Sequence, residues 1–485
     1  MHPLTREVTF ELPNTKRRFF PFFIAVAAFS GSLYAQTVRF QTTLGGIDVV
    51  LTPNITPITV TNFMTYVNSG AYTNTLIHRS LSPNVATPTP PYIIQGGGYV
   101  LQGLIPFLYQ MLNPPITNEF NLANCPNMAC NNLGTLATAL SSGIDTAQNQ
   151  WFFNLSANAT YFDSGDYTVF GNIANDASLA VANAINALPT YVGPYGNDAG
   201  LTNLPLLNYS CCGHLPTSDN FVFVNSITPI SPVISAAGVA NAATALSISS
   251  TGISPGEMLT LYGQNFGKNS AAPSYLGPTQ VTTLTLDSTG TMVTTSLEGT
   301  EVLFNGIAGP MIFTSDGQIA VLVPYEIANQ SAVNVVVSYL GIQTSPVQFK
   351  VVAANPGLFT LSQSGKGDAA IVRANDGSVV SISSPAKAGD SLQLYGEGYG
   401  VATPSTSLPD GVLVSTTLPV PAATTVLLID GQPVPTLYAG AAGSAVNGMM
   451  QVNFLVPQQL ARGTHQIQVK VGNTVSPAGV TLWTM

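Results

Sequence analysis

The sequence predicts a mainly-β protein: a strand-rich first domain with two helices, compatible with a closed barrel capped at both ends, then two β-sandwich units. Three observations predict it. Apolar and polar residues alternate on both sides of a Leu44-Gly45-Gly46 turn, the period of a half-buried hairpin. Helical spacing of apolar residues occurs in Thr61–Ser69 and Ser178–Ala187 instead. Beyond Ile227 a short-stranded pattern occurs twice, 133 residues apart, which marks an internal repeat.

A chain of 485 residues exceeds one ordinary core and points to about three domains. Charged residues make up only 7%, against roughly 25% in an average soluble protein. Polar surface therefore falls to Ser, Thr, Asn and Gln, as on many exported β-proteins. The net charge of −9 and the lack of a Lys/Arg patch argue against nucleic-acid binding. Residues 1–35 read as a signal peptide, with Lys16-Arg17-Arg18, the apolar run Phe19–Phe29 and small residues before Gln36; a retained N-terminal anchor is the alternative. The run is short for a transmembrane helix. Removing the segment leaves nine basic against 20 acidic residues, and localisation is expected to be exported: periplasm, cell surface or extracellular.

The first domain spans residues 36–228. Thr37–Leu51 reads as a hairpin. Pro57-Ile58-Thr59-Val60 leads into the Thr61–Ser69 helix, where Phe63, Tyr66 and Val67 share one face and Gly70 is a stop signal. Gly134–Leu140 and Trp151–Leu155 read as strands, Ser178–Ala187 as the second helix and Phe221–Ile227 as the closing strand. Of the four cysteines, Cys125 and Cys130 form the most local pair, while Cys211 and Cys212 are adjacent. Four cysteines allow three connectivities, and a zinc site is the alternative to disulfides. Asp145, Asp163 and Asp166 read as solvated loop carboxylates. Gly96-Gly97-Gly98 does not form a phosphate-binding fingerprint.

The pieces TPITVTNFMTYVNSGAYTNTLIHR, YIIQGGGY, NEFNL, GTLATAL, QWFFNL, YTVFGNI and DNFVFVNSI follow one another in order. On them, the run from Phe40 to Ile227 resembles a bacterial cyclophilin-type peptidyl-prolyl cis-trans isomerase. The resemblance implies an eight-stranded antiparallel barrel with two capping helices and a groove on its outer face. It implies catalytic roles for Arg79 and Gln95, and a proline pocket formed by Tyr92, Ile93, Phe152 and Tyr161. Ala139 and Gln150 would contact the substrate backbone, and Tyr167 would stand where many eukaryotic members have His. No metal or other cofactor is implied, and the partners would be proline-containing segments of client proteins.

That inventory of one arginine, one glutamine and a cluster of aromatic and aliphatic side chains suits turning an X-Pro bond rather than breaking it. The amide resists rotation by about 18–20 kcal/mol because it is conjugated. Twisting localises a lone pair on the proline nitrogen, so a donor aimed there helps most at the twisted transition state. Three departures from the family pattern bear on this: Ser80–Pro91 lengthens the link after Arg79, Trp151 replaces a Phe, and Leu140 replaces a groove-lining Asn.

After Pro229 and Pro232 the composition shifts to Ser, Thr, Val, Ala and Pro. Gly256–Gly267 (GEMLTLYGQNFG) is echoed by Gly389–Gly400 (GDSLQLYGEGYG). Gln318–Pro324 is echoed by Gln451–Pro457, and Phe304-Asn305-Gly306 by Ile429-Asp430-Gly431. Short strands with regular turns predict two β-sandwiches, residues 229–352 and 353–485. Each resembles an Ig-like IPT/TIG domain, and the pair looks like a C-terminal module of exported acidobacterial proteins. Spacing, adhesion or surface display is the expected role; Tyr262 and Tyr395 could stack a sugar if exposed, but at strand positions they read first as core. The rival reading of the whole chain is a catalytically weak proline-peptide binding module on an adhesive or glycan-binding stalk.

Overall fold

The computed structural model describes residues 36–82, 91–108, 113–192, 199–210, 214–267, 282–403, 409–415 and 418–485. Residues 1–35, expected from the sequence to be a signal peptide, Cys211, Cys212 and residues 83–90 of the Ser80–Pro91 link lie outside them.

The first half contains β1 (Thr37–Thr42), β2 (Gly45–Leu51), α1 (Pro57–Asn68), β3 (Thr75–Leu81), β4 (Ile93–Gln102) and β5 (Ile105–Leu108). There follow β6 (Thr135–Thr138), β7 (Trp151–Asn154), α2 (Ala159–Phe162), β8 (Val169–Ile173) and α3 (Asp176–Asn186). Two short strands, β9 (Thr190–Tyr191) and β10 (Leu204–Pro205), precede β11 (Phe223–Pro229). The strand order β3-β11-β1-β2-β8-β6-β7-β4 closes on itself through β3–β4. Eight antiparallel strands thus form a barrel without an open edge, and β5 extends β4 beyond it. The first turn lies one residue earlier than the glycines imply: Thr43-Leu44 make it, while Gly45 and Gly46 already pair with Thr42 and Gln41.

Alternation fills the barrel. Phe40, Ile77, Ile94, Leu136, Trp151 and Phe153 point inward and meet the buried faces of α1 and α3. The Phe40 ring lies edge-on to Trp151 and Phe153, at 4.9 and 5.2 Å.

Helix α1 begins four residues before the stretch expected from spacing, because Pro57 suits a first turn that needs no N–H from it. Its first turn has no acidic residue of its own. Glu119, from a distant loop, accepts from the Ile58 and Thr59 amides at 3.0 and 2.7 Å, satisfying orphan donors and countering the helix dipole. Helix α3 is capped by Asn175, whose Oδ1 accepts from the Ser178 amide at 2.9 Å. At its far end the buried Asn186 donates to Ser80 Oγ, Leu81 O and Ile93 O, pinning the helix to β3 and β4.

In the second half, the strand Met258–Gln264 pairs with Gln318–Leu322 as Met258 against Leu322 through Tyr262 against Gln318. Ser391–Glu397 pairs with Met450–Leu455 as Ser391 against Leu455 and Tyr395 against Gln451. The two registers are the same after a shift of 133 residues, so the internal repeat is a repeat of pairing. In each copy residues from two sheets share one hydrophobic cluster. Asn305-Gly306 and Asp430-Gly431 both take positive φ, +50° and +88°, then +49° and +76°, as tight hairpin turns require.

The barrel is tied to the following sheets by a buried ion cluster. Arg39, 8% exposed, binds Asp48 through Nε at 2.6 Å and Nη2 at 2.9 Å. Its Nη1 reaches Asp316 at 2.9 Å and its Nη2 the carbonyl of Gly267 at 2.9 Å. Tyr339 donates its hydroxyl to Asp48 at 2.7 Å and accepts from Asn175 at 3.0 Å. Burial works against the Arg39 charge, yet the Asp48 and Asp316 carboxylates hold its pKa above the ordinary arginine value.

The two repeats meet over buried carboxylates. Glu397 accepts from the amides of Ala243 (2.9 Å) and Met258. Glu257 accepts from Asn241 at 2.9 Å and Asn355 at 2.8 Å. Both glutamates have 0% exposure. Burial pushes Glu257 up to about 7, and burial with the charge of Glu257 raises Glu397 well above the usual range.

Candidate active site

One row of cross-strand neighbours organises the outer face of the barrel. Arg79 on β3 faces Gln95 on β4, Gln95 faces Phe152 on β7, and Phe152 faces Ala137 on β6. Partners in register project to the same side of a sheet, so these four side chains share the outer surface. Trp151 and Phe153, on either side of Phe152, project into the barrel instead. The Trp-for-Phe departure at 151 therefore concerns interior packing and leaves the outer row as it is.

Trp151 is accommodated by the glycines opposite. A Cβ on Gly96 would lie 2.6 Å from the Trp151 ring, and one on Gly97 2.9 Å from its Nε1 and 2.4 Å from the Asn149 carbonyl. Gly97 also has φ +84°, a conformation that favours glycine. A Cβ on Gly98 would meet the Gln150 side chain at 2.5 Å. The three glycines thus make room for Trp151 beneath the sheet and Gln150 beside it.

Arg79 is partly buried, and burial lowers its pKa while Tyr167 pulls it back; a guanidinium nonetheless stays charged. Its Nη1 lies 3.4 Å from Gln95 Oε1. Its Nε is buried and has no hydrogen-bond partner among the described residues. Gln95 donates through Nε2 to Gln150 Oε1 at 2.9 Å, which turns its carbonyl oxygen toward Arg79.

Beside this polar line is an apolar cluster of Ile93, Ala137 and Phe152, flanked by Leu81, Ala139, Phe162, Tyr167 and Val169. Phe152, Phe162 and Tyr167 stand in mutual ring contact, with centroids 5.0, 5.8 and 5.2 Å apart. Ala139 donates its amide to the Gln150 carbonyl at 2.9 Å. The structure therefore brings Arg79, Gln95, Ile93, Ala139, Gln150, Phe152 and Tyr167 onto one face.

Two residues expected in the pocket are elsewhere. Tyr92 packs against the inner cluster of the barrel, because its backbone is held by Ser156, Leu155 and Asn158 at the strand end. Tyr161 is 47% exposed, since the short helix α2 turns its neighbour Phe162 onto Phe152. Phe162 was not legible from alternation or spacing; its only signal is its place beside Tyr161 in an aromatic pair. Cys125 and Cys130 are joined in a disulfide, which closes the loop before β6. Asp163 is not a merely solvated carboxylate, as three donors converge on it. Among the described residues no group of three or more His, Cys, Asp or Glu is placed to hold a metal ion.

Comparison with known proteins bears on the same segment. Residues 37–202 match the family described as cyclophilin type peptidyl-prolyl cis-trans isomerase/CLD. Peptidyl-prolyl cis-trans isomerase A of Dickeya dadantii is 34% identical over 182 residues, 36% of this chain and 85% of that protein. A peptidyl-prolyl cis-trans isomerase of Acinetobacter baylyi is 32% identical over 173 residues, 35% of this chain and 80% of that protein. A solved cyclophilin type isomerase of Cryptosporidium parvum aligns with 41% of this chain and 99% of its own, at 20% identity and a TM-score of 0.28.

Proposed function

The chain belongs to the cyclophilin-type peptidyl-prolyl cis-trans isomerase family, and we propose that it turns X-Pro bonds along the row from Arg79 to Phe152. One observation carries this placement: the buried, unpartnered Nε of Arg79 beside the Ile93–Phe152 apolar cluster. A proline ring seated on Phe152, Ile93 and Ala137 brings its nitrogen toward that guanidinium. As the amide twists, the nitrogen pyramidalises and accepts a hydrogen bond that the planar ground state does not offer. Stabilisation thus grows toward the transition state, and the partly dry surroundings of Arg79 strengthen it. Gln95 holds the substrate carbonyl side, Gln150 and Ala139 meet its backbone, and Tyr167 closes the pocket wall. Neither covalent intermediate nor proton transfer enters.

The remaining parts extend the reading. Residues 1–35 act as a signal peptide, so the clients are extracytoplasmic proteins whose folding waits on proline isomerisation. Residues 229–352 and 353–485 are Ig-like IPT/TIG-type β-sandwiches of the kind that end exported acidobacterial proteins, and they hold the barrel near a surface or a glycan. The shared register of the two repeats and their two-sheet cores support this assignment.

Two-dimensional exchange spectroscopy of an Ala-Pro-containing tetrapeptide with the full chain tests the mechanism. Catalysed exchange is expected for the wild type, with a loss of about 10²–10³-fold in Arg79→Ala at unchanged melting temperature. Equal turnover in the two proteins would remove Arg79 from the mechanism. Binding without accelerated exchange by the wild type would make the chain a proline-peptide binder instead.

A further inference from the structure

We propose that Asp163 is a positioning residue that sets the aromatic wall of the proline pocket, and that the Cys125–Cys130 disulfide braces it from outside. The inference rests on the assignment of the Phe152 cluster as that pocket.

The segment 159–167 crosses the outer face without pairing to the barrel, yet it supplies two of the three rings of the wall, Phe162 and Tyr167. What locates it is polar. Asp163 directly follows Phe162, and its two carboxylate oxygens accept from the Cys130 amide at 2.9 Å, the Asn131 amide at 3.0 Å and Asn131 Nδ2 at 2.8 Å. Asn131 has 0% exposure. Its Nδ2 also donates to the Tyr167 carbonyl at 3.1 Å, and its carbonyl accepts from the Asn158 amide at 2.9 Å. Asn131 thus reaches both ends of the segment and its middle, and Asn118 Nδ2 adds a donation to the Asp166 carbonyl at 2.8 Å. Asn131 is anchored to the barrel by Asn154, which donates to its Oδ1 at 3.0 Å from the end of β7.

The disulfide enters at the next residue. Cys130 is buried and adjoins Asn131, while its partner Cys125 belongs to the surface turn. Closing a five-residue separation restricts the loop whose amides point at Asp163. Fewer loop conformations then compete with the one that presents both donors together. A carboxylate that receives two amides and a side-chain amide is a stronger tether than any neutral group of its size, because charge-assisted hydrogen bonds are roughly twice as strong. The route runs from disulfide to Asn131, from Asn131 to Asp163, and from Asp163 to the Phe162 ring against Phe152. Arg79 and Gln95 sit on β3 and β4 and form no hydrogen bond along this route, so the effect falls mainly on holding the proline rather than on turning it.

The test uses the full chain and one tetrapeptide, with Kd read by chemical-shift titration and the turnover of bound peptide read by exchange spectroscopy. Asp163→Ala is expected to weaken binding about tenfold, with turnover at saturation reduced less than about threefold. Asp163→Asn, which keeps one acceptor, should recover part of the loss. The double Cys125→Ser, Cys130→Ser chain should weaken binding by about two- to threefold, and it serves alone if Asp163→Ala fails to fold. Because Asp163 acts through Phe162, adding Asp163→Ala to Phe162→Ala should cost little more than Phe162→Ala alone. Unchanged Kd in the Asp163 and cysteine variants overturns the proposal. So does full additivity with Phe162→Ala, or a loss of melting temperature with Kd intact. A wild type that binds without catalysing exchange sinks the isomerase reading, while the Kd series still decides the role of Asp163. One that neither binds nor catalyses overturns both.

Discussion

Arg79 and Gln95 face each other across the β3–β4 register, with Nη1 of the arginine 3.4 Å from Oε1 of the glutamine. The contact is long for a hydrogen bond, and it is directional because Gln150 accepts the other end of the Gln95 amide at 2.9 Å. Gln95→Leu removes both contacts at once. Turnover of a proline peptide should fall by about tenfold, the loss of one hydrogen bond to a charged group, with the Phe152 ring cluster undisturbed. The check is the exchange rate at saturating peptide, and a rate equal to wild type would exclude Gln95 from the reaction.

The close approach of β4 to the chain just before β7 makes a second prediction. Gly97 combines φ +84° with a backbone so near its neighbour that a Cβ there would stand 2.4 Å from the Asn149 carbonyl. Neither backbone has a flexible end to move aside. Gly97→Ala should cost about 2–4 kcal/mol from left-handed strain and overpacking together. Thermal melting of the full chain would register this as an early loss of the barrel. An unshifted transition would mean that the sheet opens more readily than the packing around Trp151 implies.

Arg39 is the sole cation hydrogen-bonded to Asp48 and Asp316 among the described residues. Arg39→Met would leave two carboxylates in a largely dry joint between the barrel and the sheets that follow it. Removal of one member of a buried ion cluster typically costs about 3–5 kcal/mol. Early proteolytic release of the barrel from the rest of the chain, followed by gel electrophoresis, is the expected result. Cleavage no faster than in wild type would show that apolar contacts alone hold the joint.

Glu257 and Glu397 give the stability of the second half a pH dependence of definite sign. Both carboxyls have pKa values raised in the folded chain, Glu257 to about 7. The folded state therefore holds protons that the unfolded state has released. Their contribution is fully present below the ordinary glutamate value, about 4.3, and is lost as pH rises through about 7. Melting temperature should accordingly fall between about pH 5 and about pH 8, and Glu257→Gln should flatten that slope. A melting temperature that is constant over this range in the wild type would contradict raised carboxyls at the seam.

Local pattern carried much of the fold into view. The alternation that defines β1 and β2, the helical faces of α1 and α3, and the 133-residue echo are all properties of neighbouring residues. The structure agrees with them to within a few positions. Boundaries differed where a distant partner intervened: Glu119 lets α1 start at Pro57, and pairing with β1 draws Gly45 and Gly46 out of the turn. On the outer face, motif order led to Arg79, Gln95, Ile93, Gln150, Phe152, Ala139 and Tyr167. It led to Tyr161 rather than Phe162 because two adjacent aromatics are equivalent in sequence until the short α2 helix decides which one turns inward.

The order of residues alone establishes which positions alternate, where the repeat falls, and that one arginine and one glutamine stand near a run of aromatic side chains. Those are consequences of backbone geometry, whose periods are written over a few residues. Folding in three dimensions was needed to set Arg79, Gln95, Phe152 and Ala137 in one row, since register between strands pairs residues far apart in the chain, as Gln95 with Phe152. It was needed equally to bring Arg39 to Asp316 from 277 residues away, and to enclose Glu257 and Glu397 in one dry seam. Charge and burial act through space, and nothing in the order of residues states which distant groups will be left to compensate one another.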